Sequence, residues 1–327
     1  MNQLRWDPTL KEWVAYATHR QERTFLPPPE WCPLCPTREG RTPTEVPRSS
    51  YEIVVFENKF PSFRPDAPEP EEPGTRLSPT APGRGICEVV LYSDEHDTTL
   101  ARMSARRIRD LIHVWADRYE DLGSREEVEY VFIFENKGEV MGVTLHHPHG
   151  QIYGYPFIPP RPARELEAAK AHREEHGRCL HCELLAAELE DGRRIVAKGS
   201  HFTAFVPFYA RYPYEVHIYS TRCVPAISEL DGEERWDLAR TLKRVLLGYD
   251  ALFGYSLPYV MVMHQAPTDG KDYSGTAHFH IEFYPPNRTA EKLKYLAGSE
   301  VGAGAFIVDA LPEETATQLR EAVERSG

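Results

Sequence analysis

The chain has 327 residues, 41% of them hydrophobic, which suffices for one large or two medium domains with a sizeable core and no need of disulfide staples. Its net charge of −12 argues against a general polyanion binder such as a duplex-DNA protein, although local donors can still hold a small phosphate ligand. The start of the chain shows no basic segment followed by an apolar run, and no stretch approaches the roughly 20 apolar residues of a membrane span, so the expectation is a cytoplasmic protein with neither membrane nor nucleic acid as partner.

In chain order, the first landmark is Cys32-Pro33-Leu34-Cys35. It follows Pro27, Pro28 and Pro29 and precedes Pro36, which suits a loop better than the strand-to-helix turn of a redox motif, so metal binding is preferred. Strands are expected over 51–56 and 88–92, separated by an exposed loop rich in Pro and Glu over 65–82. Ile108, Leu111, Ile112 and Trp115 recur at helical spacing behind Ser104, a plausible N-cap, and predict a helix over 104–122. A strand over 130–134 and the segment Leu145-His146-His147-Pro148-His149-Gly150-Gln151 follow. A Pro-rich joint over 156–162 then precedes a helix of about fifteen residues from Ala163. The domain boundary is placed there, giving halves 1–162 and 163–327. The second half brings Cys179-Leu180-His181-Cys182, a helix over 231–252 with Asp231 as N-cap and Trp236, Leu238, Leu242 and Leu246 on its apolar face, and closing strands. Strands gathered around one long helix in each half predict an α+β fold.

The halves repeat each other. Residues 87–96 align without gaps on 214–223, with Glu, Val, Tyr and Ser identical at four positions. Residues 130–134 match 259–263, and 147–151 match 278–282, in the same order. A unit of this length is a duplicated domain, not a solenoid repeat. The alignment picks out Cys32, Cys35, His96 and His147 in the first half, and Cys179, Cys182, Cys223 and His278 in the second. Each set offers four soft or borderline donors, as in a closed tetrahedral zinc site that holds structure and leaves no position for substrate. The plain alternative for Cys223 and His278 is a place in the core of a decayed site. Cys87, whose counterpart is Tyr214, is expected to be a buried free thiol.

His149 is the histidine left over. In an extended segment it shares a face with His147, and its neutral ring is a competent nucleophile near pH 7. It can attack the α-phosphorus of a nucleoside diphosphate derivative and split one displacement into two, provided its other nitrogen keeps its proton, most simply by donating to a backbone carbonyl. Gln151 can bond a phosphate oxygen but cannot exchange a proton, so the chemistry is transfer to a second phosphate, not hydrolysis. Glu282 stands at the matching place in the second half, where a carboxylate repels phosphate, so only the first half is expected to catalyse. A zinc-containing nucleic-acid module is the competing class, and the acidic balance speaks against it.

These residues resemble the galactose-1-phosphate uridylyltransferase family of the histidine-triad superfamily. The resemblance rests on Cys32-Pro33-Leu34-Cys35, Asn58, Phe134-Glu135-Asn136-Lys137-Gly138, Met141-Gly142, His147-Pro148-His149-Gly150-Gln151, His264-Gln265-Ala266-Pro267 and Phe283-Tyr284-Pro285-Pro286. It implies two tandem histidine-triad-like repeats, mainly antiparallel sheet with a packed helix in each half. It also implies a ping-pong exchange of UMP between UDP-glucose and galactose 1-phosphate through a uridylylated His149. By the same likeness Asn136, Thr144 and Gln151 contact the phosphates, Asn58 and Phe60 lie near the uridine, and Lys294 and Glu300 reach the hexose from the neighbouring subunit of a homodimer. The chain departs from the bacterial pattern, in which a Glu and three His residues hold iron: Glu165, His264 and His280 match three of these, but Glu282 replaces the last. The Cys179, Cys182, Cys223 and His278 set is more similar to the two-zinc arrangement of plant ADP-glucose phosphorylase, so two zinc ions per chain are expected in preference to iron. That relative also supplies the alternative activity, an ADP-sugar phosphorylase or adenylyltransferase.

Overall fold

The computed structural model describes residues 2–23, 27 and 31–327. Of the prolines that frame the first cysteine pair, Pro28 and Pro29 lie outside the described residues. The first half contains β1 (Asn2–Asp7), β2 (Glu12–Ala17), β3 (Val54–Glu57), β4 (Thr80–Pro82), β5 (Ile86–Leu91), α1 (Ala105–Gly123), β6 (Tyr130–Lys137) and β7 (His149–Tyr155). The second contains α2 (Pro160–His176), α3 (Leu180–Asp191), β8 (Ile195–Lys198), β9 (Phe202–Phe205), β10 (Val216–Ser220), α4 (Gly232–Phe253), β11 (Tyr259–His264), β12 (His280–Tyr284), α5 (Gly298–Ala303) and α6 (Pro312–Ser326).

One antiparallel sheet of nine strands carries both halves, in the order β3-β5-β7-β6-β11-β12-β10-β9-β8. The order reads outward alike from its middle. From the β6–β11 junction, β7, β5 and β3 run one way and β12, β10 and β9 the other, so the strands of the sequence repeat occupy matching places. The junction itself is a four-residue ladder from Tyr259 opposite Lys137 to Val262 opposite Phe134. A second sheet, β2-β1-β4, flanks the first half.

Two helices build the main core against one face of the large sheet. Ser104 caps α1 by accepting from the Arg107 N–H, and Asp231 caps α4 in a reciprocal capping box with Glu234. Ile108, Leu111, Ile112 and Trp115 of α1 are at most 1% exposed, and they join Val131, Ile133 and Ile152 of the sheet in one cluster with Leu238, Leu242 and Leu246 of α4. Burying each such side chain stabilises the fold by about 1.5–3 kcal/mol. The opposite face has two fates. In the second half α2 and α3 cover it, with Leu185 packed on Phe205 and Tyr219. In the first half Leu4 and Phe63 cover one part, packed on Cys87 and Tyr153, and the rest is open; there the site lies.

Several boundaries differ from the sequence reading. The strand expected over 51–56 begins only at Val54, because Tyr51 turns aside to bond Leu34 O at 3.0 Å. The helix expected from Ala163 starts three residues earlier, since Pro160 and Pro162 occupy a first turn that needs no N–H from them. The expected loop over 65–82 ends in β4, whose Ala81 lies opposite Leu4. The β1–β2 hairpin, α3 and α6 were not anticipated.

Candidate active site and metal-binding quartets

Both expected quartets assemble. In each, four ligand atoms lie within 4.8 Å of one another. Cys35 Sγ is 3.4 Å from His96 Nδ1 and 3.6 Å from His147 Nδ1. Cys179 Sγ and Cys182 Sγ are 3.6 and 3.5 Å from His278 Nδ1. A sulfur at 2.3 Å and a nitrogen at about 2.05 Å from one tetrahedral ion stand about 3.5 Å apart, so the donors are spaced for a shared cation. The electrostatics agree. Burial pushes His147 down to about 4, leaving a neutral ring with a lone pair, while burial and the adjacent Cys32 push the Cys35 thiol up to about 12, so a thiolate there needs a cation beside it. The far ring nitrogens are fixed in the same way in both halves. His147 Nε2–H donates to Ser93 O at 2.8 Å and His278 Nε2–H to Ser220 O at 2.9 Å, and these serines are the identical pair of the repeat. Each bond turns Nδ1 toward the sulfurs.

The expected nucleophile follows His147 by two residues. His149 opens β7, and its Nδ1–H donates to the backbone oxygen of His147 at 2.7 Å, which leaves the lone pair on Nε2. His147 of the first quartet and His149 are thus joined through one carbonyl. Alternation along β7 puts His149, Gln151 and Tyr153 on the open face and Ile152 in the core. Gln151 lies opposite Val89 of β5, and Val89 opposite Phe56 of β3, so an apolar row runs outward from the polar end. Adjacent strands are about 4.8 Å apart, which puts Phe56 about 10 Å from Gln151, far enough for a nucleoside to lie between. Asn58 Nδ2 and Tyr153 OH both donate to Gln151 Oε1, at 3.4 and 3.3 Å, and so orient the amide.

A cavity of about 410 Å³ fills this face. It is lined by Asn58, Phe60, Asn136, Thr144, His149 and Gln151, all six of the first-half residues expected to act on or contact substrate. Sequence reasoning missed its apolar walls, Phe56, Val89 and Leu34, although Leu34 lies inside the first cysteine pair. Lys294 and Glu300 do not reach the cavity of their own chain. They bond each other at 3.2 Å with side chains 7% and 6% exposed and fold the loop around α5.

The second half shows the same template closed. His280 Nδ1–H donates to His278 O at 2.7 Å, the counterpart of the His149 bond. Here α2 and α3 leave a cavity of only about 20 Å³. Glu282 is enclosed by Arg161 at 3.1 Å, His217 at 3.2 Å and the Tyr284 hydroxyl. Glu165, His264 and His280 do bring ligand atoms within 4.8 Å of one another, and Glu165 lies 2.6 Å from His264. A fourth ligand from position 282 does not fit the iron pattern, because both oxygens of Glu282 are already engaged.

The chain was compared with known proteins. Residues 1–159 match the family described as galactose-1-phosphate uridyl transferase, N-terminal domain, and residues 165–325 match its C-terminal domain. A galactose-1-phosphate uridylyltransferase of Thermotoga maritima is 42% identical, over 98% of this chain and 98% of its own. A solved structure described as a uridylyltransferase superposes with a TM-score of 0.89 at 34% identity, covering 99% of both chains. An ADP-glucose phosphorylase from Arabidopsis thaliana with bound ADP-glucose superposes with a TM-score of 0.75 at 26% identity, covering 98% of both.

Proposed function

The chain belongs to the galactose-1-phosphate uridylyltransferase family, and from that premise we propose how its residues divide the work. The enzyme exchanges UMP between UDP-glucose and galactose 1-phosphate. His149 Nε2 attacks the α-phosphorus of UDP-glucose, the bond to the bridging oxygen breaks, and glucose 1-phosphate leaves with that electron pair. The uridylyl group stays on His149 until a phosphate oxygen of galactose 1-phosphate displaces it as UDP-galactose. The observation that carries this reading is the His149 Nδ1–H bond to His147 O at 2.7 Å inside the cavity. It presents an unprotonated nitrogen to phosphorus, and the carbonyl steadies the positive charge the ring gains. Asn136, Thr144 and Gln151 contact the phosphates. Asn58 and Phe60 flank the uridine, whose base rests on the apolar row of Val89 and Phe56. Gln151 holds an oxygen without passing a proton, so water is not activated.

We assign zinc to both quartets, on the sulfur-rich donor sets and their spacing. An ion held by the first quartet would fix His147, whose carbonyl orients His149, and four protein donors in each set would leave no position for substrate. The halves 1–162 and 163–327 are taken as the two repeats. Six free cysteines, five of them in the quartets and none in a disulfide, support the reducing cytoplasm as its location. A homodimer is supported by the apolar surface of the α5 loop, where Tyr295 is 77%, Val301 74% and Ile307 61% exposed. Within that dimer this loop, folded on the Lys294–Glu300 pair, reaches the neighbour's hexose.

The test is to incubate the protein with UDP-glucose alone. A single added uridylyl mass and an equal amount of glucose 1-phosphate are expected, and neither from His149→Asn. ADP-glucose as donor with free phosphate as acceptor is the control, and preferential turnover of that pair would refute the uridylyl assignment.

A further inference from the structure

The deepest unassigned ionisable group beside the nucleophile is Glu135. It lies on β6 next to Asn136, but alternation turns it to the helix side of the sheet, where it is only 5% exposed. The Tyr259 hydroxyl donates to its Oε1 at 3.2 Å, and the Tyr92 hydroxyl faces the same carboxyl. Its Oε2 has no hydrogen-bond partner among the described residues. A buried carboxyl with one oxygen unmatched is unfavourable for folding, which calls for an explanation in function. Its neighbours lead to His149. The Tyr92 N–H donates to Pro148 O at 3.1 Å, and the Tyr92 hydroxyl lies where a methyl on Gly150 would collide with it. Glu135 and His149 also line one cavity of about 530 Å³, which meets the nucleotide cavity at Asn136, Val143, Leu145 and His149.

We propose that Glu135 is a positioning residue for His149: through Tyr92 it braces the Pro148–Gly150 turn from the helix side, and it sets a carboxylate behind a ring that becomes cationic on bonding to phosphorus. The proposal rests on His149 being the nucleophile. A negative charge on a carboxyl only 5% exposed favours that cation without any reorganisation at the moment of transfer. The groups facing Glu135 are few. Lys137 stands on its own strand, paired with Asp250 of α4 at 3.2 Å, Tyr259 comes from β11 and Tyr92 follows β5. Arg102, Glu139 and His146 lie around the shared cavity, with Asp97 and His96 beyond. Burial, working against Lys137 and the two hydroxyls, pushes Glu135 up to about 7, so its charge changes near neutral pH.

The test is single-turnover uridylylation and steady-state exchange between about pH 5.5 and 9, for the wild type, Glu135→Gln and Glu135→Asp. Glu135→Gln is expected to slow uridylylation and lower kcat about tenfold with little change in KM. The acid limb of its rate profile moves to lower pH, because the carboxyl at 135 no longer titrates, and Glu135→Asp moves the limb back. Wild-type rates and an unshifted limb in Glu135→Gln would overturn the proposal. So would an unshifted limb with kcat, KM and melting temperature all worsened together, since that pattern marks a merely structural residue. If the wild type takes up no uridylyl group at all, it is the nucleophile assignment that fails.

Discussion

Gly150→Ala isolates the packing beneath the nucleophile. A Cβ on residue 150 meets the Tyr92 hydroxyl, and it also comes within 3.0 Å of Tyr92 Cζ and 3.1 Å of Phe134 O. Neither neighbour can give way easily, because Phe134 O is backbone and Tyr92 is 1% exposed, edge-on to Trp115 at 6.1 Å. Overpacking of this kind costs about 1–3 kcal/mol, and the enclosed ring puts this case near 3. Tyr92→Phe removes the colliding oxygen and, by itself, takes away a hydroxyl that faces the Glu135 carboxyl, at a cost of about 1 kcal/mol. In the double variant the worst contact is gone while the two near 3 Å remain. The combined cost should therefore fall short of the sum of the single costs by at least about 1 kcal/mol. Urea unfolding of the four proteins measures the cycle, and single-turnover uridylylation follows His149 in parallel. Strict additivity, or a Gly150→Ala protein as stable and active as its parent, would refute the packing argument.

Cys32→Ser should release one metal equivalent of two, measured by elemental analysis, and weaken UMP binding, because Leu34 and Pro33 of the same loop wall the cavity. Gln151→His should convert part of the transfer into hydrolysis, seen as steady release of UMP from UDP-glucose in water, since a ring at this place can pass a proton. Arg161→Met removes a partner of Glu282, which is only 3% exposed. The loss should be about 2 kcal/mol in urea unfolding, less than the roughly 3–5 of a fully buried pair, because the guanidinium is 38% exposed. The same cluster fixes a pH window. Burial opposes the charges of Glu165 and Glu282, but His264 and His217 outweigh it and hold both carboxyls below their ordinary value of 4.5. Their contribution is complete above about pH 4.5 and lost as pH falls through the lowered values. His264 and His217, held above 6.5 by these carboxylates against burial, contribute fully below 6.5 and less as pH rises past it. The stability gap between wild type and Glu282→Gln should accordingly be widest between about pH 4.5 and 6.5 and narrow on both sides.

Much of this was legible because it is local or repeated. Ser104 and Asp231 announce the two core helices, since a cap and a 3.6-residue period involve only neighbours in sequence. The two quartets emerged from the repeat alone, because each half solves the same ligand problem with the same serine carbonyl. What stayed hidden depends on distant partners. Nothing near position 282 in sequence reveals that Arg161 encloses its carboxylate. Nothing near Gly150 reveals Tyr92, because a strand pattern states which residues alternate but not what lies beneath them. The merger of the halves into one sheet was equally invisible, since the pairing of Phe134 with Val262 leaves no mark on either strand.

That merger restricts how the molecule can be divided. The β6–β11 ladder makes each repeat the edge protection of the other. A fragment ending at the joint between halves would leave the Phe134–Lys137 edge of β6 without its partner strand, beside Phe132, and would tend to pair with its own kind and precipitate. The half that carries the cavity is therefore not a portable unit, because the strand that completes its sheet edge belongs to the other half.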